Sequence, residues 1–155
     1  MFRIVSNHLD EMHQHVLNDY PFECCGIVIG NPDDNNSDKL FRCTNIQNKL
    51  HEMDPEAHPR DAKTAYFIDE KELLHITRET QDLGQVIKLF YHSHPEHDAY
   101  FSEEDVRRAL FFDEPAYPDA RYLVISVYNK SIKEQALFEW NEASKTFKQA
   151  PVETS

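Results

Sequence analysis

The run Val86 to Tyr91, V-I-K-L-F-Y, leads straight into H-S-H-P at residues 92–95. An apolar run this short, stopped by a proline, is the pattern of a buried strand rather than a helix. Strand side chains alternate faces, so His92 and His94 point the same way at the strand's C-terminal mouth. A polar loop follows, and the S-x-x-D of Ser102 and Asp105 marks the capped start of a helix. The loop is long enough for the chain to fold back and present the Asp105 carboxylate to both imidazoles. Two nitrogens and one carboxylate oxygen leave a fourth position for water, which is the donor set of a catalytic zinc and not of a closed structural one. Each piece has a plainer account: a strand-end histidine is an ordinary satisfied residue, and S-x-x-D stabilises a helix without any metal. Their combination is what points to a site.

The rest of the chain supplies a fold around that strand. Phe2 to Val5 is a short first strand, and Ser6 is placed as the N-cap of a helix whose Leu9, Met12, Val16 and Tyr20 share a face. His8, His13 and His15 are assigned to its solvated side. Pro21 ends this helix, and C-C-G-I-V-I-G, residues 24–30, reads as a central strand with Glu23 at its start. On local grounds Glu23 is an ordinary turn residue. N-P-D-D-N-N-S-D turns the chain into a returning strand at Leu40–Ile46, and residues 48 to 65, with Pro55 and Pro59, show no period and read as a loop. His51 and His58 lie there, without partners at ligand spacing.

Tyr66 to Ile68 makes a brief strand. Asp69 and Glu72 form a capping box for a helix that turns Leu73, Ile76, Thr80 and Leu83 inward and ends at Gly84. Beyond the His-x-His strand, a helix from Glu103 stops before Pro115, Tyr122–Tyr128 is a further buried strand, and Ile132–Trp140 and the segment around Phe147 complete a hairpin. Strands mixed with three helices give one α/β layered domain over residues 1–150, with residues 151–155 as a disordered tail.

H92-S-H94-P followed by Ser102 and Asp105 resembles the signature of the JAMM (MPN-plus) zinc metallopeptidases. That family also carries an upstream glutamate before an apolar strand, and P-F-E-C-C-G-I-V-I-G here, with Glu23, matches that context position by position. The resemblance implies a curved mixed β-sheet flanked by helices on both faces, similar to the deaminase layout. It implies Zn²⁺ held by His92, His94 and Asp105, Glu23 as general base, and Ser102 as a hydroxyl donor to the developing oxyanion. Ser93, Cys24 and Cys25 are left with structural roles.

Members of the family cleave amide or isopeptide bonds after the C-terminal Gly-Gly of ubiquitin-like proteins. The short connection from Asp113 to Ala120 and the E-C-C-G run resemble the small bacterial members acting on sulfur-carrier proteins, which release cysteine or a short peptide. The partner implied is therefore a small ubiquitin-like sulfur carrier ending in Gly-Gly, with residues 48–65 as a candidate contact. Three rivals remain. A zinc peptidase could act on an unrelated peptide, and a non-catalytic MPN scaffold or metal sensor would use His97 or another side chain as a fourth ligand. A deaminase would need P-C-x-x-C, which is absent.

Charge narrows the partners further. With 28 acidic against 16 basic residues the formal net charge is −12, which disfavours nucleic acid and suits a basic protein surface. Cys24, Cys25 and Cys43 include no C-x-x-C and an odd thiol, as expected of a reduced cytoplasmic protein. No stretch reaches membrane-spanning length, so no membrane role is expected.

Overall fold

A computed structural model describes residues 1–155. The chain runs β1 (Phe2–Ile4), α1 (Ser6–Asp19), β2 (Cys25–Gly30), β3 (Lys39–Cys43), α2 (Gln47–Met53) and α3 (Glu70–Asp82), followed by β4 (Val86–Pro95), α4 (Glu103–Ala109), β5 (Leu110–Phe111), β6 (Glu114–Pro115), β7 (Arg121–Tyr128), β8 (Ser131–Asn141), β9 (Thr146–Ala150) and β10 (Val152–Thr154). Six strands form one sheet in the order β3-β2-β4-β7-β8-β9, in which β4 and β7 are parallel and all other neighbours antiparallel. The expected α/β domain with a mixed sheet is present, and helices cover both of its faces.

The two faces follow from strand periodicity. Val28, Leu89, Tyr91, Leu123 and Ile125 bury one side of the sheet with Met12 and Val16 of α1. Ile27, Ile29, Phe90, Tyr122 and Val124 bury the other, against Ile76 of α3 and Ala109 of α4. In β4, Leu89 and Tyr91 take the α1 side and Phe90 the opposite side, so the same alternation sends His92 and His94 towards α3 and α4. No helix of the chain is long and apolar enough to cross a membrane.

Gly26 is where this packing is tightest. It lies opposite Tyr91 in the β2–β4 register, and a Cβ there would stand 2.1 Å from the tyrosine ring. The ring cannot swing away freely, because its hydroxyl is bonded to His15 Nδ1 at 2.7 Å. Gly26→Ala is expected to destabilise the fold by about 1–3 kcal/mol through overpacking, read as a lower urea midpoint with unchanged slope. An unchanged midpoint would show that the ring gives way.

Several expectations are corrected. The segment after Pro151 is not a loose tail: β10 pairs in parallel with β1, and Ser155 N donates to Ile4 O at 3.0 Å. Ser6 is the first residue of α1 and not its cap; Val5 holds that position, and the Ser6 hydroxyl donates to Ser155 O. His15 is buried, where Tyr91 and Asp19 satisfy its two ring nitrogens. Residues 48–65 begin inside a fourth helix, α2, and are not a continuous loop. The Glu103 helix ends at Ala109, after which β5 and β6 make a small hairpin. Asp69 caps α3 by accepting from the amides of Lys71 and Glu72, but the box is not reciprocal, since Glu72 instead accepts from Thr44 N. At the end of α3, Leu83 is 56% exposed and does not face inward, while Gly84 takes the left-handed conformation that ends the helix.

Candidate metal centre

Strand β4 continues to Pro95, so both histidines lie inside the sheet, flanked by β2 and β7. His92 is 0% and His94 4% exposed, and Asp105 in the first turn of α4 is 5% exposed. His92 Nε2 lies 3.1 Å from Asp105 Oδ1, His94 Nε2 3.1 Å from Asp105 Oδ2, and the two Nε2 atoms are 3.3 Å apart. A tetrahedral ion with bonds of about 2.05 Å separates its ligand atoms by about 3.3 Å, so these three donors already stand at ligand spacing.

The tautomer of His94 makes the same point chemically. Its Nδ1 is 2.9 Å from the Asp98 carbonyl, which can only accept, so a neutral His94 carries its proton there. Its Nε2 is then a bare lone pair aimed at a carboxylate oxygen. Acceptors this close repel each other unless a proton or a metal ion lies between them. The residues fit a divalent ion, and the Asp98 carbonyl orients the ligand as an outer partner should.

Titration directions agree with a charge cluster taken out of water. Burial pulls His92 below the ordinary imidazole value, against the opposing pull of Asp105. Burial works to raise the Asp105 carboxyl, but His92 and His94 together outweigh it and hold it well below the usual carboxylate range.

Asp105 is fixed by the reciprocal capping box expected at Ser102. Ser102 N donates to Asp105 Oδ2 at 3.0 Å, and Asp105 N donates to Ser102 Oγ at 3.1 Å. Because Ser102 Oγ accepts in that pair, its own hydrogen stays free to donate elsewhere.

Glu23 just precedes β2. Cys25 lies opposite His92, and carrying that register back two places sets Glu23 across from His94. Cys24 N donates to Ser93 Oγ at 2.8 Å and Ser93 N to Cys24 O at 3.2 Å, a zip that holds the two segments together and gives Ser93 a structural role. A strap from residues 60–65 closes over the glutamate: Glu23 N donates to Ala62 O at 2.7 Å, and Asn45 Nδ2 donates to Glu23 O at 2.8 Å. The side chain is 4% exposed and its Oε1 has no partner. Burial drives its carboxyl well above the ordinary value, and the negative charge of Asp105 adds to this. A buried carboxylate oxygen with no donor costs stability, and a cation beside Asp105 or a water upon it would offset that cost.

Three contributors were missed in the sequence. Tyr66 stacks on His92 with ring centres 4.6 Å apart. Asn45 bonds the carbonyls of Glu23 and Ala65 and the amides of Gln47 and Phe67. Its bond to Gln47 N is an Asx-turn, the one local signal that marked it. Arg60 adds its charge near Glu23 and had no signal at all. His97 is exposed and stays outside the group, while Cys24, Cys25 and Cys43 are free and buried.

A family model described as prokaryotic homologs of the JAB domain matches residues 5–141. Among curated proteins, the chain is similar to the CysO-cysteine peptidase of Mycobacterium tuberculosis, with 28% identity over 118 residues, 76% of this chain and 68% of that protein. It is also similar to the desampylase of Haloferax volcanii, with 29% identity over 118 residues, 76% of this chain and 72% of that protein. Among solved structures, a protein of Desulfitobacterium hafniense shares the fold with a TM-score of 0.71 at 19% identity, covering 100% of this chain and 93% of that one. A Salinibacter ruber protein does so with a TM-score of 0.62 at 22% identity, covering 100% and 92%.

Proposed function

The chain belongs to the family of prokaryotic JAB-domain proteins, and on that premise we propose that it is a zinc-dependent peptidase. The bond cleaved is the amide after the C-terminal Gly-Gly of a small ubiquitin-like sulfur-carrier protein, and cysteine or a short peptide is released. The observation that carries this reading is a buried carboxylate without a hydrogen-bond partner on Oε1, Glu23, set beside three donors at metal-ligand spacing. The names of the two curated relatives, a CysO-cysteine peptidase and a desampylase, support the same class of reaction.

His92, His94 and Asp105 would hold a divalent ion, which when bound would supply Lewis-acid activation of water and of the scissile carbonyl. Glu23 takes a proton from the attacking water as its oxygen bonds to the carbonyl carbon, and delivers that proton to the nitrogen as the C–N bond breaks. The products are a glycine carboxylate on the carrier and a free amine. Ser102 directs its free hydroxyl hydrogen at the carbonyl oxygen as negative charge develops there. Strap and sheet hold these groups out of bulk water, where each interaction is stronger.

The test uses a carrier protein extended past Gly-Gly by one cysteine, read by intact-mass spectrometry. Zinc-loaded protein is expected to cut once, after the second glycine, and chelator-treated protein to lose the activity until zinc is restored. Cleavage that survives full removal of metal would contradict the reading.

A further inference from the structure

A polar cavity of about 330 Å³ lies between the strap that holds Glu23 and the first turns of α4, whose Glu103 and Glu104 immediately precede Asp105. Its charged lining residues are Arg60, Glu103, Glu104, Arg107 and Arg108, so the hollow is net positive by one in a chain whose formal net charge is −12. The arginines are not equivalent. Arg107 and Arg108 both pair with Glu104, and Arg108 also reaches Gln47 Oε1 and lies over the Phe67 ring. Arg60 has no carboxylate partner; its only side-chain bond is a long one, Nη1 to Thr64 O at 3.4 Å. Its backbone, in contrast, is well anchored, with buried Gln47 donating to Arg60 O at 2.9 Å. Ala62, two residues further along, holds Glu23 N. An arginine with an anchored backbone and free guanidinium donors therefore lines a cavity under the strap that holds the proposed proton carrier.

We propose that Arg60 selects the leaving group by binding the free α-carboxylate of a single amino acid joined through its amine to the Gly-Gly terminus. The inference rests on the peptidase reading above and narrows its substrate. The nitrogen that Glu23 protonates and the carboxylate carbon of the same residue are only about 2.5 Å apart, two bonds along the backbone. A cation reading that carboxylate must therefore sit close to Glu23, and Arg60 lies two residues before Ala62, whose carbonyl accepts from Glu23 N. A second residue on the leaving group would replace the carboxylate by a neutral amide and carry the charge up to about 3.6 Å away. An amine from a lysine side chain would bring no carboxylate to this point. The planar fork of arginine suits a carboxylate taken at two points.

The experiment compares two carriers extended by one cysteine, one ending in the free acid and one in the primary amide. Wild-type protein is expected to cleave the acid about 10- to 100-fold more efficiently, with the difference in KM. Arg60→Gln is expected to lose that preference, cleaving acid and amide with equal efficiency whatever change it makes to both through Glu23, while Arg60→Lys recovers part of the preference. Arg60 is exposed, so both variants should unfold at the wild-type denaturant midpoint. Equal cleavage of acid and amide by the wild type would overturn the proposal and leave the peptidase reading intact. A wild-type acid-to-amide ratio retained in Arg60→Gln would also overturn it, by showing that Arg60 acts only through Glu23. Failure of zinc-loaded wild type to cut either carrier would remove the peptidase reading and this inference with it.

Discussion

Replacing Glu23 by glutamine is expected to lower kcat by about two to four orders of magnitude, the range of a lost general acid–base group, with one metal still bound. The amide keeps the size of the side chain and cannot take a proton from water. Stability should move the other way. The folded state holds the Glu23 carboxyl well above its ordinary 4.5, so it binds that proton more tightly than the unfolded chain does. Ionising the group therefore costs the metal-free fold stability, and the cost grows as pH rises above 4.5. Metal-free Glu23→Gln should accordingly be more stable than wild type at neutral pH and match it in acid. A kcat within a few-fold of wild type would remove Glu23 from the reaction.

Asp105→Ala should do more damage, because one side chain serves three partners. Its carboxylate faces both imidazoles and accepts from Ser102 N. Loss of a ligand is expected to cut zinc content from one equivalent to near zero and kcat/KM by about three orders of magnitude or more. The metal-free fold should lose roughly 1–3 kcal/mol at neutral pH, since Ser102 N is left without its acceptor. The sign with pH is opposite to that for Glu23. A carboxyl held below its ordinary 3.8 stabilises the fold above that pH, and the contribution fades as pH falls through and below it. The wild-type advantage over Asp105→Ala should shrink in acid. A variant that keeps one zinc and full turnover would place the metal elsewhere.

The parts of the site read directly from the residues are those built on local periodicity. The alternation of β4 puts His92 and His94 on one face whatever surrounds them, and S-x-x-D is a helix start wherever it occurs. Glu23 is different. Nothing near it in the chain shows that it is buried, because its cover is Ala62 and Asn45, reached through the fold. Only the likeness of its flanking run to a known motif singled it out. Arg60 lies on the same cover, in a stretch where Pro55 and Pro59 hide the short helix before it, and no pattern pointed to it.

The misplaced elements share a physical cause. β10 has three residues, too few for a period, and its partner β1 lies at the other end of the chain, so only tertiary pairing creates it. His15 looked solvated because histidine is polar, yet it sits between Met12 and Val16 on the apolar side of α1. Tyr91 and Asp19 supply the bonds that make its burial affordable. Tyr91 in turn occupies the space that Gly26 leaves open, so a glycine on one strand and a histidine on a helix answer to the same ring.

The most direct measurement is an anomalous difference map at the zinc edge from crystals grown with zinc. One peak is expected, about 2.0–2.2 Å from His92 Nε2, His94 Nε2 and an Asp105 oxygen, with one water as the fourth ligand and Glu23 in hydrogen-bond reach of it. A peak away from these residues, or a fourth protein ligand such as His97 closing the coordination sphere, would contradict a peptidase built on this centre.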